Sequence, residues 1–462
     1  MTLFPRRLLA SLLLPLALPL TALAQPKPVP EPPDTAASAA AAPLSASARR
    51  LFDASRAQLV QVRTLLAQQD SQSSVGSGFV VSEDGLIVSN YHVVSQAALE
   101  PAGYRLRFVG ADGRRGSLQL LAIDVRHDLS LLRAVDEAGK PLRFARALAF
   151  RPATEPLDKG DRIYSMGHPQ DVAFAIVEGN YNGLVERRFD PLIYYAGSLN
   201  PGMSGGPVLD EQGRVVGVNV SMLLFSQQMS FLIPGGFAEA LVQRAKDAKP
   251  IQGPVWPLLR EQLLAYGEEL TQRFTAQPWR PWGGGQGEEG KGPRWRIPIP
   301  QEQFLRCWGS STPPDAKGMR FQRMQCRMDH ALFLSGRLHT GYLDVQHEIY
   351  DGSRLGAWRF ARQYSASFKN ENLGRSNDKD RTAPHCTESF VDAQGLPARA
   401  VVCLRAHRKM DGIHDVTVLL TAVDQPTEGL LGRFDAHGVG FEQAMKLARH
   451  FLAGYGKPGA AR

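Results

Sequence analysis

The residues best suited to breaking a bond centre on Ser204, set in Asn200-Pro201-Gly202-Met203-Ser204-Gly205-Gly206-Pro207. A serine hydroxyl needs a base to take its proton and donors to hold the oxyanion that forms after attack. Glycines let the backbone turn sharply and bring its N–H groups close to a substrate. With Ser204 as nucleophile, the N–H groups of Gly202 and Ser204 become the oxyanion donors, each contributing roughly 3 kcal/mol to transition-state stabilisation. Read alone, the stretch is a tight turn, because Pro-Gly and Gly-Gly-Pro are ordinary turn chemistry. His92, in Tyr91-His92-Val93-Val94, stands where a strand gives way to a new element. An imidazole there can accept the serine proton near neutral pH and return it to a leaving amine. Asp128 precedes the apolar run Leu129-Ser130-Leu131-Leu132, where its carboxylate can accept the second imidazole N–H and fix the tautomer. Singly, His92 caps a strand and Asp128 accepts backbone N–H bonds. Together, three bland readings have to hold at once.

The elements that must position these groups are mostly short strands. Val75 to Val81 and Gly85 to Asn90 read as a hairpin turning at Glu83-Asp84-Gly85, and an apolar series from Leu51 to Ala67 passes from helix to strand near Leu59. Tyr104 to Val109 and Leu118 to Ile123 follow as strands, completing a barrel before Ser204. Asp161 to Gly167, Ala175 to Gly179, Leu192 to Gly197 and Arg214 to Val220 read as strands of a second barrel. His168, in Gly167-His168-Pro169, reads as a loop residue.

The motifs Gly76-Ser77-Gly78-Phe79-Val80-Val81, Val88-Ser89-Asn90-Tyr91-His92-Val93-Val94, Asp128-Leu129-Ser130-Leu131-Leu132 and the Ser204 loop, in the order His, Asp, Ser, resemble those of the trypsin-like serine peptidases, most closely their bacterial periplasmic HtrA-like branch. The resemblance covers about Leu51 to Lys246. It implies an all-β double barrel, closed by Phe231 to Pro234 and a helix over Gly236 to Ala245, with His92, Asp128 and Ser204 as catalytic residues, and places Leu199, Ser221, Met222 and Leu223 around the pocket for the residue before the scissile bond. Ser198, rather than an acid, stands six residues before Ser204, so cleavage is expected after small or medium aliphatic residues instead of Lys or Arg. Met203 departs from the family, whose digestive members carry an aspartate there and whose HtrA-like members usually carry asparagine. The oxyanion loop is therefore expected to be held by packing or by a neighbouring domain. No PDZ domain, common next in HtrA-like chains, is recognisable after Lys246. A binding or scaffold protein that keeps the barrels without turnover is the alternative, favoured by Met203 and the unfamiliar C-terminal part.

The chain has 462 residues, 43% hydrophobic and 21% charged, enough for more than one domain with a sizeable core. Met1 to Ala24 reads as a cleavable export signal: Arg6-Arg7, an apolar run from Leu8 to Leu20 that is short for a membrane span, and Ala22-Leu23-Ala24 before Gln25. Gln25 to Ala48 is Pro-, Ala- and Ser-rich and reads as a disordered tether, with the peptidase domain over residues 49–246. A periplasmic or secreted location follows, with polypeptide substrates as partners, no membrane span after signal removal, and oligomers left open. The net charge of +8 is scattered, which excludes nucleic acid as an expected partner.

After the barrels, Pro254 to Phe274 reads as an amphipathic helix and Trp279 to Pro293 as a Gly-rich linker, the two making a connecting segment over residues 247–293. From Arg294 the chain reads as a separate α+β domain, residues 294–462: strands at Phe304 to Trp308, Phe321 to Met328, Ala331 to Leu334 and Tyr342 to Tyr350, a helix over Leu355 to Phe368, a meander through Glu388 to Val391, Ala398 to His407 and Val416 to Val423, and a closing helix from Phe441 to Tyr455. Gly429-Leu430-Leu431-Gly432 reads as a plain loop, and Trp308 and Trp358 as core. All four cysteines lie here, and in an exported chain an even count favours disulfides. The pairings local in sequence are Cys307 with Cys326 and Cys386 with Cys403. No Cys-x-x-Cys pair occurs, so zinc is the weaker reading even with His330 and His385 nearby; no metal and no cofactor are expected.

Overall fold

The computed structural model describes residues 44–169, 172–222, 229–281, 295–301, 303–369, 373, 378–423 and 425–457. The export signal, most of the tether, Leu223 and most of the Gly-rich linker lie outside them. The last residues assigned to the tether are helical. Ser45 caps α1 (Ala46–Ser55), its Oγ accepting from the Ala48 N–H at 3.1 Å, and Ala48 and Leu51 are buried. A capping serine before an apolar pair starts a helix even behind a Pro- and Ala-rich run.

Alternating apolar residues and Gly-bearing turns give the first barrel: β1 (Leu59–Leu66), β2 (Gln72–Val80), β3 (Leu86–Asn90), β4 (Tyr104–Gly110), β5 (Arg115–Asp124) and β6 (Leu129–Val135), closed in the order β1-β2-β3-β6-β5-β4. Helix α2 (Tyr91–Leu99) leaves the end of β3. The second barrel comprises β7 (Arg162–Gly167), β8 (Ala175–Leu184), β9 (Ile193–Ala196), β10 (Pro207–Leu209), β11 (Val215–Met222) and β12 (Ser230–Pro234), closed as β10-β11-β12-β9-β8-β7, and α3 (Gly235–Ala245) follows. Both sheets are antiparallel throughout, as the hairpin pattern implies. One buried cluster joins the barrels, with Phe79, Val88 and Leu131 from the first meeting Tyr164, Met166 and Val218 from the second.

Helix α4 (Trp256–Ala276) buries Leu259, Leu263, Tyr266, Leu270 and Phe274, a spacing that keeps one face against its neighbours. Past the short pair β13 (Arg280–Pro281) and β14 (Pro298–Ile299) come β15 (Leu305–Ser311), β16 (Arg320–Met328), the hairpin β17 (Leu332–Ser335) and β18 (Leu338–Thr340), β19 (Tyr342–Asp351), α5 (Ala357–Lys369), β20 (His385–Ala393), β21 (Leu396–Ala406), β22 (Ile413–Ala422), β23 (Glu428–Gly440) and α6 (Phe441–Ala453). Seven of these strands form one antiparallel sheet, β15-β16-β19-β23-β22-β21-β20. Val416, Val418 and Leu420 face α4 and α6, whereas Leu419 and Leu431 face Phe360 and Phe368 of α5. Both disulfides join directly opposed residues of neighbouring strands, Cys307 to Cys326 and Cys386 to Cys403.

Two expectations fail in this region. Gly429 to Gly432 is the start of β23, a central strand, because each glycine makes room for a tyrosine ring. A Cβ on Gly429 would lie 2.4 Å from Tyr364, and one on Gly432 would lie 1.7 Å from the Tyr455 hydroxyl. Trp308 is 70% and Trp358 92% exposed: the first stands on an edge strand and the second on the outer face of α5.

The C-terminal part packs directly on the first barrel. Tyr91, Val94, Phe108 and Ile123 belong to the same buried cluster as Leu263, Leu334, Leu338 and Phe434, and the described residues from Leu44 onward form one compact unit.

Candidate active site

His92 sits in the first turn of α2 and Asp128 in the turn that leads into β6. Antiparallel pairing of β3 with β6 sets Asn90 opposite Leu129, which brings the two side chains together. Asp128 has φ +54, a left-handed conformation an aspartate tolerates better than most residues. Three bonds hold it there: its carbonyl accepts from the Tyr91 N–H at 3.0 Å and from Asn90 Nδ2 at 2.9 Å, and its N–H reaches the Val125 carbonyl. Its carboxylate grips His92 at two points, Oδ1 accepting the backbone N–H at 2.8 Å and Oδ2 accepting from Nδ1 at 2.6 Å. That bond assigns the ring proton to Nδ1 and leaves Nε2 as an acceptor. Burial alone pushes His92 down, but the Asp128 charge and hydrogen bond outweigh it, and the net result is a pKa above the ordinary value.

Helices α3 and α4 fix the Asp128 turn from outside. The Asp124 carboxylate accepts from His127 Nδ1 at 3.0 Å and from Arg244 of α3 at 3.0 Å. Burial opposes the Asp124 charge, yet these partners hold its pKa down to about 2. Gln262 of α4 accepts from the Val125 N–H at 2.8 Å and donates to the Ile123 carbonyl at 2.9 Å. Arg126 bridges Asp190 of the second barrel, at 2.6 Å, to Glu269 of α4, also at 2.6 Å.

Ser204 lies between β9 and β10 on a loop tied to both barrels. Ser77 of β2 donates through its N–H to the Ser204 carbonyl and through its hydroxyl to the Gly202 carbonyl, each at 2.7 Å. Gly202 has φ +94 and Gly205 φ +85. A Cβ on Gly205 would meet the Ser77 carbonyl at 2.3 Å, so only glycine lets the two barrels approach here. Met203 is 1% exposed within the second barrel's core, and its carbonyl accepts from the buried Asn219 Nδ2 at 3.2 Å. Packing thus occupies the place of the ion pair that methionine cannot make. Among the described residues, neither the Gly202 nor the Ser204 N–H donates to a protein acceptor. The Ser204 hydroxyl donates to the Val220 carbonyl at 3.3 Å, and no hydrogen bond joins it to His92 in this resting arrangement.

Of the residues expected around the pocket, Leu199 is buried beside Met203. Ser221 and Met222 continue β11, where their backbones pair with Phe231 and Ser230. His168 lies just beyond β7, its N–H donating to Ser77 Oγ at 2.8 Å. A cavity of about 980 Å³ opens beside the pair, touching His92, Asp128 and Val220. Its far wall is C-terminal: Arg306, Asp329, His330 and Phe333 line it, with the Phe333 ring 6.0 Å from that of His92. Ser77 and Asn219 also escaped the sequence reading. The signal for Ser77 was its place between two glycines in a quoted motif; that for Asn219 was a lone amide in an apolar strand.

Residues 76–218 match the family described as the trypsin-like peptidase domain. The chain is 28% identical over 227 residues to a chloroplastic Protease Do-like 1 of Arabidopsis thaliana, covering 44% of this chain and 49% of that one. It is 31% identical over 183 residues to a probable periplasmic serine endoprotease, DegP-like, of a Marinomonas species, covering 39% and 37%. A serine endoprotease of Yersinia pestis of known structure aligns at 19% identity and a TM-score of 0.36, over 44% of this chain and 67% of that one. The chain thus spans about half or less of the length of these curated relatives. Over residues 76–218, which span most of its two closed barrels, the chain is similar to the trypsin-like peptidase domain, and in sequence to the DegP-like endoproteases.

Proposed function

We propose that this chain is an exported serine endopeptidase that hydrolyses polypeptides through an acyl-enzyme on Ser204. The observation that carries it is the two-point grip of Asp128 on His92, which leaves Nε2 unprotonated beside a loop whose Gly202 and Ser204 N–H groups are unspent. Rotation of the Ser204 hydroxyl from Val220 toward His92 readies attack. Oγ bonds to the scissile carbonyl carbon, its proton passes to Nε2, and the oxyanion is held by the two N–H groups. Collapse breaks the C–N bond as His92 returns the proton to the leaving amine. Water, deprotonated by His92, then releases the acid and restores Ser204.

Cleavage after small or medium aliphatic residues is supported by the absence of an acid at Ser198 and by the apolar character of Leu199, Met222 and Leu223. We divide the chain into an export signal (1–24), a tether ending near Pro43, peptidase barrels to Lys246, a connecting helix and linker, and a C-terminal domain from Arg294. The location is periplasmic or secreted, the periplasm being favoured by the names of the DegP-like relatives and by the export signal read in Met1 to Ala24.

A second reading, a silent binding protein, is favoured by one observation, the hydrogen bond of Ser204 to Val220 in place of His92. A fluorophosphonate probe separates the two. Covalent labelling of the folded protein, abolished in Ser204→Ala, is expected; folded wild-type protein that is never labelled would falsify turnover at this site.

A further inference from the structure

The cavity beside His92 is lined by four cationic and four carboxylate side chains, and one of the cations, Arg188, stands without a partner. Among the described residues Arg188, on its wall, makes no hydrogen bond or ion pair, and its Nε is buried without a partner. The neighbouring carboxylates make their ion pairs with other arginines, Asp190 through Oδ1 with Arg126 at 2.6 Å and Asp329 with Arg306 at 2.6 Å; both act on Arg188 through charge alone, and Asp190 Oδ2 is itself buried without a partner. Lys159 and Glu186, of opposite charge, stand exposed at the rim. His330, on the C-terminal wall, is pushed down to about 4 by burial and by the Arg188 charge, so at neutral pH it adds no cation. Burial, with repulsion from Arg306, also drives the Arg188 pKa below its ordinary value, which nearby carboxylates fail to offset. A guanidinium left half-buried and unpaired costs free energy that a bound anion recovers.

His92 lines the same cavity, and a peptide presented to it would extend along that wall. We propose that Arg188 is a specificity residue that binds a carboxylate of the peptide substrate, within a cleft whose opposite wall is supplied by the C-terminal domain. The planar fork of the guanidinium suits a carboxylate held by two parallel bonds. This inference rests on the peptidase reading but concerns a different residue of the substrate from the aliphatic one at the scissile bond.

The test uses the full chain carrying Ser204→Ala, so that binding is read without turnover. Fluorescent peptides with an aliphatic residue at the expected cleavage point are made in pairs: a single Glu walked through the flanking positions against Gln, and a free chain end against its amide. Anisotropy gives each affinity in the Arg188 background and after Arg188→Ala and Arg188→Lys, with thermal unfolding of each variant read alongside. One acidic position, or the free chain end, is expected to bind at least about tenfold more tightly than its neutral twin, the size of a charge-assisted hydrogen bond. Arg188→Ala should bring that ratio near one and Arg188→Lys should retain part of it. Because each ratio is taken within one variant, a partly unfolded sample does not mimic the result. Which pair shows the preference distinguishes a side chain from a chain end. Ratios near one in every pair, or a preference that survives Arg188→Ala, overturn the proposal. Absence of fluorophosphonate labelling overturns only the catalytic reading of Ser204.

Discussion

His92 is held by one carboxylate at two atoms, and that fixes both its ring orientation and its titration. Only the neutral ring accepts the Ser204 proton. Because Asp128 raises the imidazole pKa, the acid limb of kcat/KM is expected to have its midpoint above the ordinary 6.5, with activity falling as pH drops through it. A pH profile on an aliphatic peptide checks this, and a midpoint at or below 6.5 would contradict the assigned partnership. Asp128→Asn should keep the fold and lower kcat by about 10⁴, because the amide can donate to Nδ1 and turn the wrong nitrogen toward Ser204. Single-turnover kinetics with an activated ester would read that loss. Asp128 itself was legible from its place ahead of an apolar strand. Ser77 was not, because its work is to hold the carbonyls of Gly202 and Ser204 from another barrel, a contact that leaves no periodic trace.

At the level of elements, strands were read well wherever apolar residues alternate between turn signals, and β2 to β6 fall close to the expected spans. The failures share a cause. Gly429 to Gly432, the start of β23, reads as a plain loop in the sequence, although its glycines serve to admit Tyr364 and Tyr455 against a central strand. Gly432→Ala is accordingly expected to destabilise the protein by about 1–3 kcal/mol, since the added methyl must displace a buried ring. A lower midpoint in denaturant would show it, and an unchanged midpoint would mean that Tyr455 moves aside without cost. Trp358 was read as core on residue type alone. Its helix buries Phe360 and Phe368 instead and leaves the tryptophan 92% exposed, because helix rotation, rather than hydrophobicity, decides which face is covered.

The whole molecule joins its parts through a core that no motif describes. Tyr91, one residue before the base, donates to the Leu334 carbonyl at 2.9 Å from a position 243 residues earlier in the chain. Helix α4 and the β17–β18 hairpin cover apolar surface of the first barrel that would otherwise face water. A chain ending at Lys246 is therefore expected to lose cooperative unfolding and to bind a hydrophobic dye, each newly exposed large apolar side chain costing about 1.5–3 kcal/mol. Barrels that melt cooperatively and bind no dye in that shortened form would show that the shared core is dispensable. The same packing holds the Asp128 turn, through Gln262 and the Arg126 bridge, so the C-terminal half braces the Asp128–His92 pair as well as walling the cavity.

The sequence by itself determined the candidate residues for chemistry, their order, the two-barrel strand pattern and the local disulfide pairs. Each is written in residue type, alternation or short spacing, which act over a few positions of chain. Only the tertiary structure decided that Met203 is locked into the second barrel's core, that the Ser204 hydroxyl rests on Val220, and that Phe333 and Arg188 face His92 across one cavity. These depend on how distant apolar faces bury each other. That choice is made by the packing of the whole chain, and no window of the sequence records it.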